Sequence, residues 1–392
     1  MNKYKKLIGN SVIFAIGNLG SKLMQFVMVP LYSFALSTKE FGQTDIITTM
    51  VSLLCPIVSL EIFDAVFRFA MDKENNVKRV FSSGIAVTTL AAIFTLALGT
   101  LFEFSSFLKE YHIFLSAVLL ICTIFYSLIS NFARAIGYSK MFAIAGMINT
   151  FFMVVMNIIL LVYLRIGVSG YVLSMIIGQA TAILFLLTIK EIHLSFNISF
   201  IDVQLTKKML VYSLPLIPNA FSWWLNSSSD RLFITLMVGA GANGIYAMAN
   251  KIPNALNTLT TIFFQSWQIS AVEEYDNKDA KLFISNVFNF FMYILLCCSI
   301  LILAIVRPLF KVVIAPGYFS AWQITYIVLW SLIYSSLSGV LGTLYTATKK
   351  TAPILITTIY GALINLLASL VLIHFIGIFG AALANVISFL LY

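Results

Sequence analysis

The chain reads as long apolar runs separated by short polar breaks. A helix needs about 20 mostly apolar residues to cross the hydrocarbon of a bilayer, and runs of that length recur from one end of the sequence to the other. They predict spans at 10–37, 42–68, 80–102, 112–134, 141–164, 168–189, 209–238, 243–270, 282–306, 320–347, 351–374 and 377–392. The expected fold is therefore an all-α membrane protein of about 12 transmembrane helices. The first run follows Met1–Lys6 in the manner of a signal peptide, but it has no small-residue cleavage site and runs on too long, so it reads as the first span. The last run reaches Tyr392 with no basic residue behind it, which reads as a final helix cut short.

The breaks carry the orientation. With the N-terminus inside, the cytoplasmic stretches hold Lys3, Lys5, Lys6, Arg68, Lys73, Lys78, Arg79, Arg134, Lys140, Lys190, Lys207, Lys208, Lys278, Lys281, Lys349 and Lys350. The outer stretches hold Lys39, Lys109, Arg165, Arg307 and Lys311. Sixteen against five obeys the rule that Lys and Arg stay on the cytoplasmic side. It also checks the span count, because merging two spans would invert every later loop. The expected location is the cytoplasmic membrane of the cell.

An internal repeat divides the spans. Ile166-Gly-Val-Ser-Gly170 recurs as Ile376-Gly-Ile-Phe-Gly380, and Tyr138-Ser-Lys140 as Thr348-Lys-Lys350, both at a shift of 210. Phe41-Gly42 matches Asn243-Gly244 at a shift of 202. Spans 1–6 thus correspond to spans 7–12. Because six is even, the halves are parallel six-helix pseudo-repeats, an arrangement in which transporters place their site at the repeat interface. The expected organisation is an N-terminal lobe (1–195), a cytoplasmic connector (196–208) and a C-terminal lobe (209–392) around a central cavity.

Composition adds exclusions. Only 10% of residues are charged and 60% are hydrophobic, too much apolar surface for a soluble fold to cover. The net charge of +9 is spread over the breaks and forms no basic face, so no nucleic-acid partner is expected. Cys55, Cys122, Cys297 and Cys298 lie in apolar runs, without the spacing of a disulfide framework or a zinc site. His112, His193 and His374 sit at span ends without a partner at ligand spacing. Gly239-Ala-Gly-Ala-Asn-Gly244 fits G-x-G-x-x-G, but it joins two spans instead of following a strand, and reads as a turn. Neither a nucleophile elbow nor a phosphate-binding loop is legible. The sequence points away from an enzyme, a cofactor or a metal.

Charges inside spans are expensive, so they mark cavities or partners. They occur in four spans: Lys22 in span 1; Asp45, Glu61, Asp64 and Arg68 in span 2; Asp230 and Arg231 in span 7; Lys251 in span 8. Pro30, Pro56, Pro215, Pro218 and Pro253 fall in the same four, where a missing amide bends a helix. Bland readings compete with a cavity. Asp45 and Arg68 lie near span ends and have room to snorkel. Asp64 and Arg68 stand one turn apart, the spacing of a structural pair. Trp223, Trp224 and Trp267 fit packing or an interfacial belt better than a sugar platform.

Ser229-Asp-Arg231, Gly244-Ile-Tyr246, Ala249-Asn-Lys-Ile252 and Phe264 through Trp267 resemble the seventh and eighth helices of bacterial polysaccharide flippases. These are the O-antigen and capsule repeat-unit exporters of the multidrug/oligosaccharidyl-lipid/polysaccharide superfamily. Asn10, Gly17, Pro30, Glu40-Phe-Gly42 and Asp64-Ala-Val-Phe-Arg68 extend the resemblance to the start of the chain. It implies two six-helix lobes around a cavity that carries undecaprenyl-diphosphate-linked oligosaccharide outward by alternating access. It also implies basic residues facing that cavity, by position Lys22, Arg68 and Lys251, with Arg231 added. A diphosphate suits such cations. The spans hold four acids as well as four bases, so Asp45, Glu61, Asp64 and Asp230 are candidates for H+ or Na+ coupling. Partners on this reading are the lipid-linked oligosaccharide, membrane lipids and the polysaccharide polymerase machinery. The competing readings are an ion-coupled multidrug antiporter of the same superfamily, whose cationic substrates Lys22, Arg231 and Lys251 would repel, and a non-transporting envelope scaffold.

Overall fold

The computed structural model describes residues 24, 26–72, 74–103, 111–274, 280–347 and 352–391. Among them every regular element is helical. Lipid offers no hydrogen-bond partners, so a spanning backbone must satisfy its own amides within each helix. In chain order the helices are α1 (Phe26–Ala35), α2 (Thr38–Val58), α3 (Ile62–Ala70), α4 (Val77–Glu103), α5 (Ile113–Ala135), α6 (Ser139–Asn157) and α7 (Gly167–Leu187). They continue as α8 (Lys190–His193), α9 (Val203–Ser213), α10 (Leu216–Met237), α11 (Ala240–Glu274), α12 (Ala280–Val313), α13 (Ala321–Ala347), α14 (Ala352–Ile376) and α15 (Ile378–Leu391).

The order of predicted spans is the order of helices. Eight are long and apolar enough to cross a membrane by length and composition, and Phe26–Ala35 and Ile378–Leu391 are shorter apolar helices. The remaining two, α10 and α11, have the length but are rich in Asn and Ser and carry Asp230, Arg231 and Lys251.

Three predicted spans differ in detail. Span 2 is two helices, α2 and α3, separated at Ser59–Glu61, where Leu60 and Glu61 are left-handed at φ 54° and 51°. Span 5 ends in a π-helical stretch, Ile158–Tyr163. Span 7 begins only at Leu216, because α9 stops at Ser213 and Pro215 sits in the turn before α10. Pro215 and Pro218 thus start a helix instead of bending one, as suits residues without an amide to donate. Pro308, which the predicted limits left in a loop, lies inside α12.

Contacts divide the chain into two compact units, Gln43–Trp224 and Met1–Gly42 with Leu225–Tyr392. In the first, α3, α4, α5 and α9 close on Ile62, Val66, Val80, Phe81, Leu128 and Phe132. Phe81 and Phe132 stack with centroids 4.1 Å apart. In the second, α11, α12 and α13 meet around Trp267, Phe283, Phe291 and Leu332, and α14 and α13 pack on α15.

The α4 helix shows what solvent the fold is built for. Its inward face carries Ser82, Ser83, Thr88, Thr95 and Gly99, while Leu90, Ile93, Phe94 and Leu101 point outward at 61–68% exposure. Small residues inside and large apolar ones outside suit helices that associate by close packing within lipid.

The repeat is visible in the backbone. Gly167 and Gly377, equivalent under the shift of 210, both adopt positive φ (55° and 61°) at the start of a helix. Three residues on, Gly170 and Gly380 both occupy positions where a Cβ would collide, with Ile166 and Leu160 in one case and the Leu372 backbone in the other.

Candidate functional site

Four helices of the second unit bring polar side chains into one buried network. Asp230 on α10, Tyr246 on α11 and Asn365 on α14 are each at most 5% exposed. The Tyr246 hydroxyl donates to Asp230 Oδ2. Asn385 on α15 donates through Nδ2 to the same carboxylate oxygen and to the Tyr246 hydroxyl, both at 3.1 Å. Asn365 Nδ2 donates to Asn385 Oδ1 at 2.6 Å, and Asp230 Oδ1 accepts from the Arg231 amide at 2.9 Å. An acid among apolar helices needs this many donors, since burying an unpaired carboxylate is far costlier than burying a bonded one. The cluster offers carboxylate, amide and hydroxyl oxygens from α10, α11, α14 and α15, the hard donors that hold protons and small cations.

The sequence singled out Asp230 but neither Asn365 nor Asn385. A lone amide inside an apolar helix was the available signal, since Asn365 stands in Gly361-Ala-Leu-Ile-Asn-Leu-Leu and Asn385 in Ala381-Ala-Leu-Ala-Asn-Val. Half-buried Arg231, next in sequence, lies within electrostatic reach of Tyr246.

Lys251, also half-buried, holds its ammonium 5.4 Å above the Phe41 ring. Phe41 is 2% exposed and meets Tyr318 edge-on at 5.9 Å. The Tyr318 hydroxyl donates to the carbonyls of Leu36 and Ser37 at 3.0 and 2.8 Å, closing the α1–α2 turn. The first turns of α2 and α11 touch backbone to backbone beside this turn. A Cβ on Gly42 would run into the Ala240 carbonyl, and one on Gly244 would run into the Thr38 carbonyl. Asn243 Nδ2 donates to the Gly42 carbonyl at 3.1 Å across the seam. The G-x-G-x-x-G stretch is therefore a helix start pressed onto another helix start. Gly42 and Gly244 are the pair matched at a shift of 202.

In the first unit the acids gather at the α2–α3 break. Glu61 is 6% exposed, and its Oε2 has no hydrogen-bond partner among the described residues. Asp64 lies one turn further along α3, within electrostatic reach of Glu61. The guanidinium acting on Asp64 comes from Arg134 on α5. Arg134 lies 4.2 Å from the Phe67 ring centroid and 5.6 Å from that of Phe142. No ion pair joins Asp64 to exposed Arg68 among the described residues; the guanidinium whose charge acts on Asp64 lies on a neighbouring helix. Asp45 is 8% exposed on α2.

The predicted site residues thus fall into separate groups. Asp230, Arg231 and Lys251 belong to one unit; Asp45, Glu61, Asp64 and Arg68 belong to the other. Lys22 lies outside the described residues. Of the tryptophans, Trp224 (8% exposed) donates to the Thr49 carbonyl at 3.1 Å and Trp267 (0%) to Thr343 Oγ1 at 2.5 Å, both as packing elements, while Trp223 is exposed.

Comparisons with known proteins agree with this architecture. A family model described as polysaccharide biosynthesis protein matches residues 7–269. Comparison with curated protein sequences finds no match. Among solved structures the chain is similar to an inward-facing multidrug resistance MATE family transporter of the MOP superfamily, with a TM-score of 0.75 at 12% identity, covering 96% of this chain and 92% of that one. An outward-facing MATE transporter of the same superfamily gives 0.64 at 12% identity over 99% and 93%. A MOP superfamily transporter from Pyrococcus furiosus gives 0.65 at 13% identity over 100% and 94%. At such identities the likeness is one of fold. With the family model spanning most of its length, the chain belongs to the polysaccharide biosynthesis protein family, as a multi-pass membrane protein with the fold of MOP superfamily transporters.

Proposed function

We propose that the protein flips lipid-linked oligosaccharide repeat units, carried on undecaprenyl diphosphate, across the cytoplasmic membrane for cell-surface polysaccharide synthesis. The carrying observation is the combination of polysaccharide-family membership with cations retained in apolar spans, Arg231 and Lys251 among them. On this reading two six-helix lobes, 1–195 and 209–392, alternate access to a cavity, with the N-terminus and the 196–208 connector cytoplasmic. Lys22, Arg68, Arg231 and Lys251 hold the diphosphate, to which ammonium and guanidinium groups are matched. The acids Asp45, Glu61, Asp64 and Asp230 couple the movement to H+ or Na+. Asp230 is favoured among them, because its carboxylate is held in a buried polar network built with Tyr246, Asn385 and Asn365 from three other helices.

The test is deletion of the gene followed by leaflet-resolved detection of the lipid-linked glycan. The expected result is accumulation on the cytoplasmic face and loss of surface polysaccharide. Normal outer-leaflet glycan would sink the reading. A second reading, an ion-coupled multidrug antiporter, is favoured by the fold shared with multidrug resistance transporters. New drug sensitivity with normal glycan would select it.

A further inference from the structure

The segment between α7 and α10, residues 188–215, is fixed to its unit by backbone hydrogen bonds and two buried apolar side chains, and turns several other large apolar side chains outward. Ser82 on α4 donates to the Ser195 carbonyl and accepts from the Asn197 amide, both at 3.1 Å. Ser83 accepts from the Asp202 amide at 3.2 Å, and Arg79 pairs with the Asp202 carboxylate at 3.2 Å. Ile192 and Met209, both 0% exposed, plug the segment into the core of its unit. This backbone is tied down at several points along its length, so what it displays is held in place.

What it displays is apolar. Leu194, Phe196, Ile198, Val203 and Val211 are exposed at 48, 45, 74, 80 and 65%. Exposed basic groups edge the same surface: Lys190, Lys207 and Lys208 on the segment, and Lys78 and Arg79 at the start of α4. Lys78 holds its ammonium 5.8 Å from the Phe200 ring. On α9, Val203, Lys207 and Val211 follow one another at four-residue spacing, so a single exposed stripe alternates apolar and cationic groups. The stripe runs on through Leu214 (45% exposed) to the start of α10 at Leu216.

We propose that this connector is a membrane-surface anchor, seated on the anionic phospholipid headgroups of the leaflet it borders. An aqueous loop gains nothing by holding five large apolar side chains in water, and a protein partner is not needed to explain them. Apolar side chains with Lys and Arg between them are the composition that settles at the boundary between headgroups and acyl chains, about 5–10 Å into the membrane. Anionic headgroups supply the matching charge for the lysines. The proposal rests on the multi-pass membrane fold and is independent of the substrate. With the N-terminus cytoplasmic, the leaflet is the inner one.

The test uses the full-length protein in nanodiscs containing equal phosphatidylglycerol and phosphatidylcholine. A benzophenone amino acid replaces Ile198, Val203 or, as an aqueous control, Glu74 in the exposed α3–α4 turn. Irradiation is expected to give phospholipid adducts at 198 and 203, enriched in phosphatidylglycerol, and none at 74. Replacing Lys207→Gln and Lys208→Gln is expected to reduce the phosphatidylglycerol preference by about fivefold per lysine. Adducts no more frequent at 198 and 203 than at 74, or adducts to a second copy of the chain, would overturn the anchor. Lipid adducts without preference, or with a preference the lysine changes leave intact, would overturn the role of the headgroup charge. No lipid-linked glycan is present in the discs, so failure here leaves the flippase reading standing.

Discussion

Asp230 illustrates how a residue in an apolar span is made tolerable and useful by the same neighbours. Two side-chain donors, Tyr246 and Asn385, converge on one of its oxygens, and Asn365 fixes the amide of Asn385. Tyr246→Phe removes one donor without changing shape. Losing a hydrogen bond to a buried charged group costs about 1–3 kcal/mol, so a lower melting temperature of the detergent-solubilised protein is expected. Asn385→Ala is expected to cost as much or more, and the double variant less than the sum, since the bond from Asn385 to the Tyr246 hydroxyl is lost in either single variant. An unchanged melting temperature in both single variants would mean that the network does not hold these helices together. The acid itself was legible in the sequence, because a charge in a span announces its own cost. Its amide partners were less so, because asparagine is neutral and changes the apolar pattern by a single position. Arg134 was hidden for a different reason: at the end of α5 it reads as one more positive loop residue, and its place beside Asp64 follows only from the packing of α3 on α5.

Elements were legible wherever an apolar run sets their length. The α2–α3 break was not, because Cys55-Pro-Ile-Val-Ser-Leu-Glu-Ile-Phe reads as a continuous run and left-handed Leu60 and Glu61 have no signature in residue type. The Gly42–Gly244 seam gives the sharpest test at this scale. Gly42→Val and Gly244→Val drive a side chain into a carbonyl that no rotamer change can move, so loss of folded protein in size-exclusion profiles is expected. Gly342→Ala, in open space on α13, is expected to be neutral or to stabilise by about 0.5–1 kcal/mol. If Gly42→Val folds and melts as the parent does, the seam is not close-packed. At α9 the prediction concerns pH. The Asp202 carboxyl is held below the usual carboxylate range by the Leu205 amide, then by the Gln204 amide and Arg79. A lowered folded pKa contributes stability above the ordinary aspartate value of about 3.9, and loses it as pH falls through the folded value. Asp202→Asn keeps the cap acceptor and removes the charge. Its melting temperature should lie below the parent's at pH 7 and converge with it in acid; a constant offset at every pH would count against the ionic part.

For the whole molecule, span count and order were read from length and loop charge, and the repeat from short motifs that keep one backbone conformation at Gly167 and Gly377. What the sequence leaves illegible is packing, because in lipid every span presents much the same apolar exterior and the contacts lie in small residues. Lys22→Ala, Arg231→Ala and Lys251→Ala, each introduced singly into a deletion strain, are expected to restore less than a tenth of the surface polysaccharide. That is the loss expected if each cation contributes more than about 1.4 kcal/mol to holding the diphosphate. Lys251→Arg is expected to recover part of it. Full complementation by all three alanine variants would remove these residues from the proposed substrate site. Asp230→Asn, judged on the same strain at different external pH or sodium concentration, separates a coupling role from a structural one: coupling predicts altered ion dependence of export at normal protein abundance.

The seam at Gly42 and Gly244 has the form of an isologous contact. Thr38 opposes Gly244 and Ala240 opposes Gly42, so each partner of one pair is the counterpart of a partner in the other, as at the two-fold axis of a homodimer. In such a contact the two backbones approach each other in the same way from either side. The side chains break the symmetry: Asn243 donates to the Gly42 carbonyl from the position whose counterpart is Phe41, so exchanging Thr38→Ala with Ala240→Thr is expected to lower the melting temperature even though the backbones meet alike.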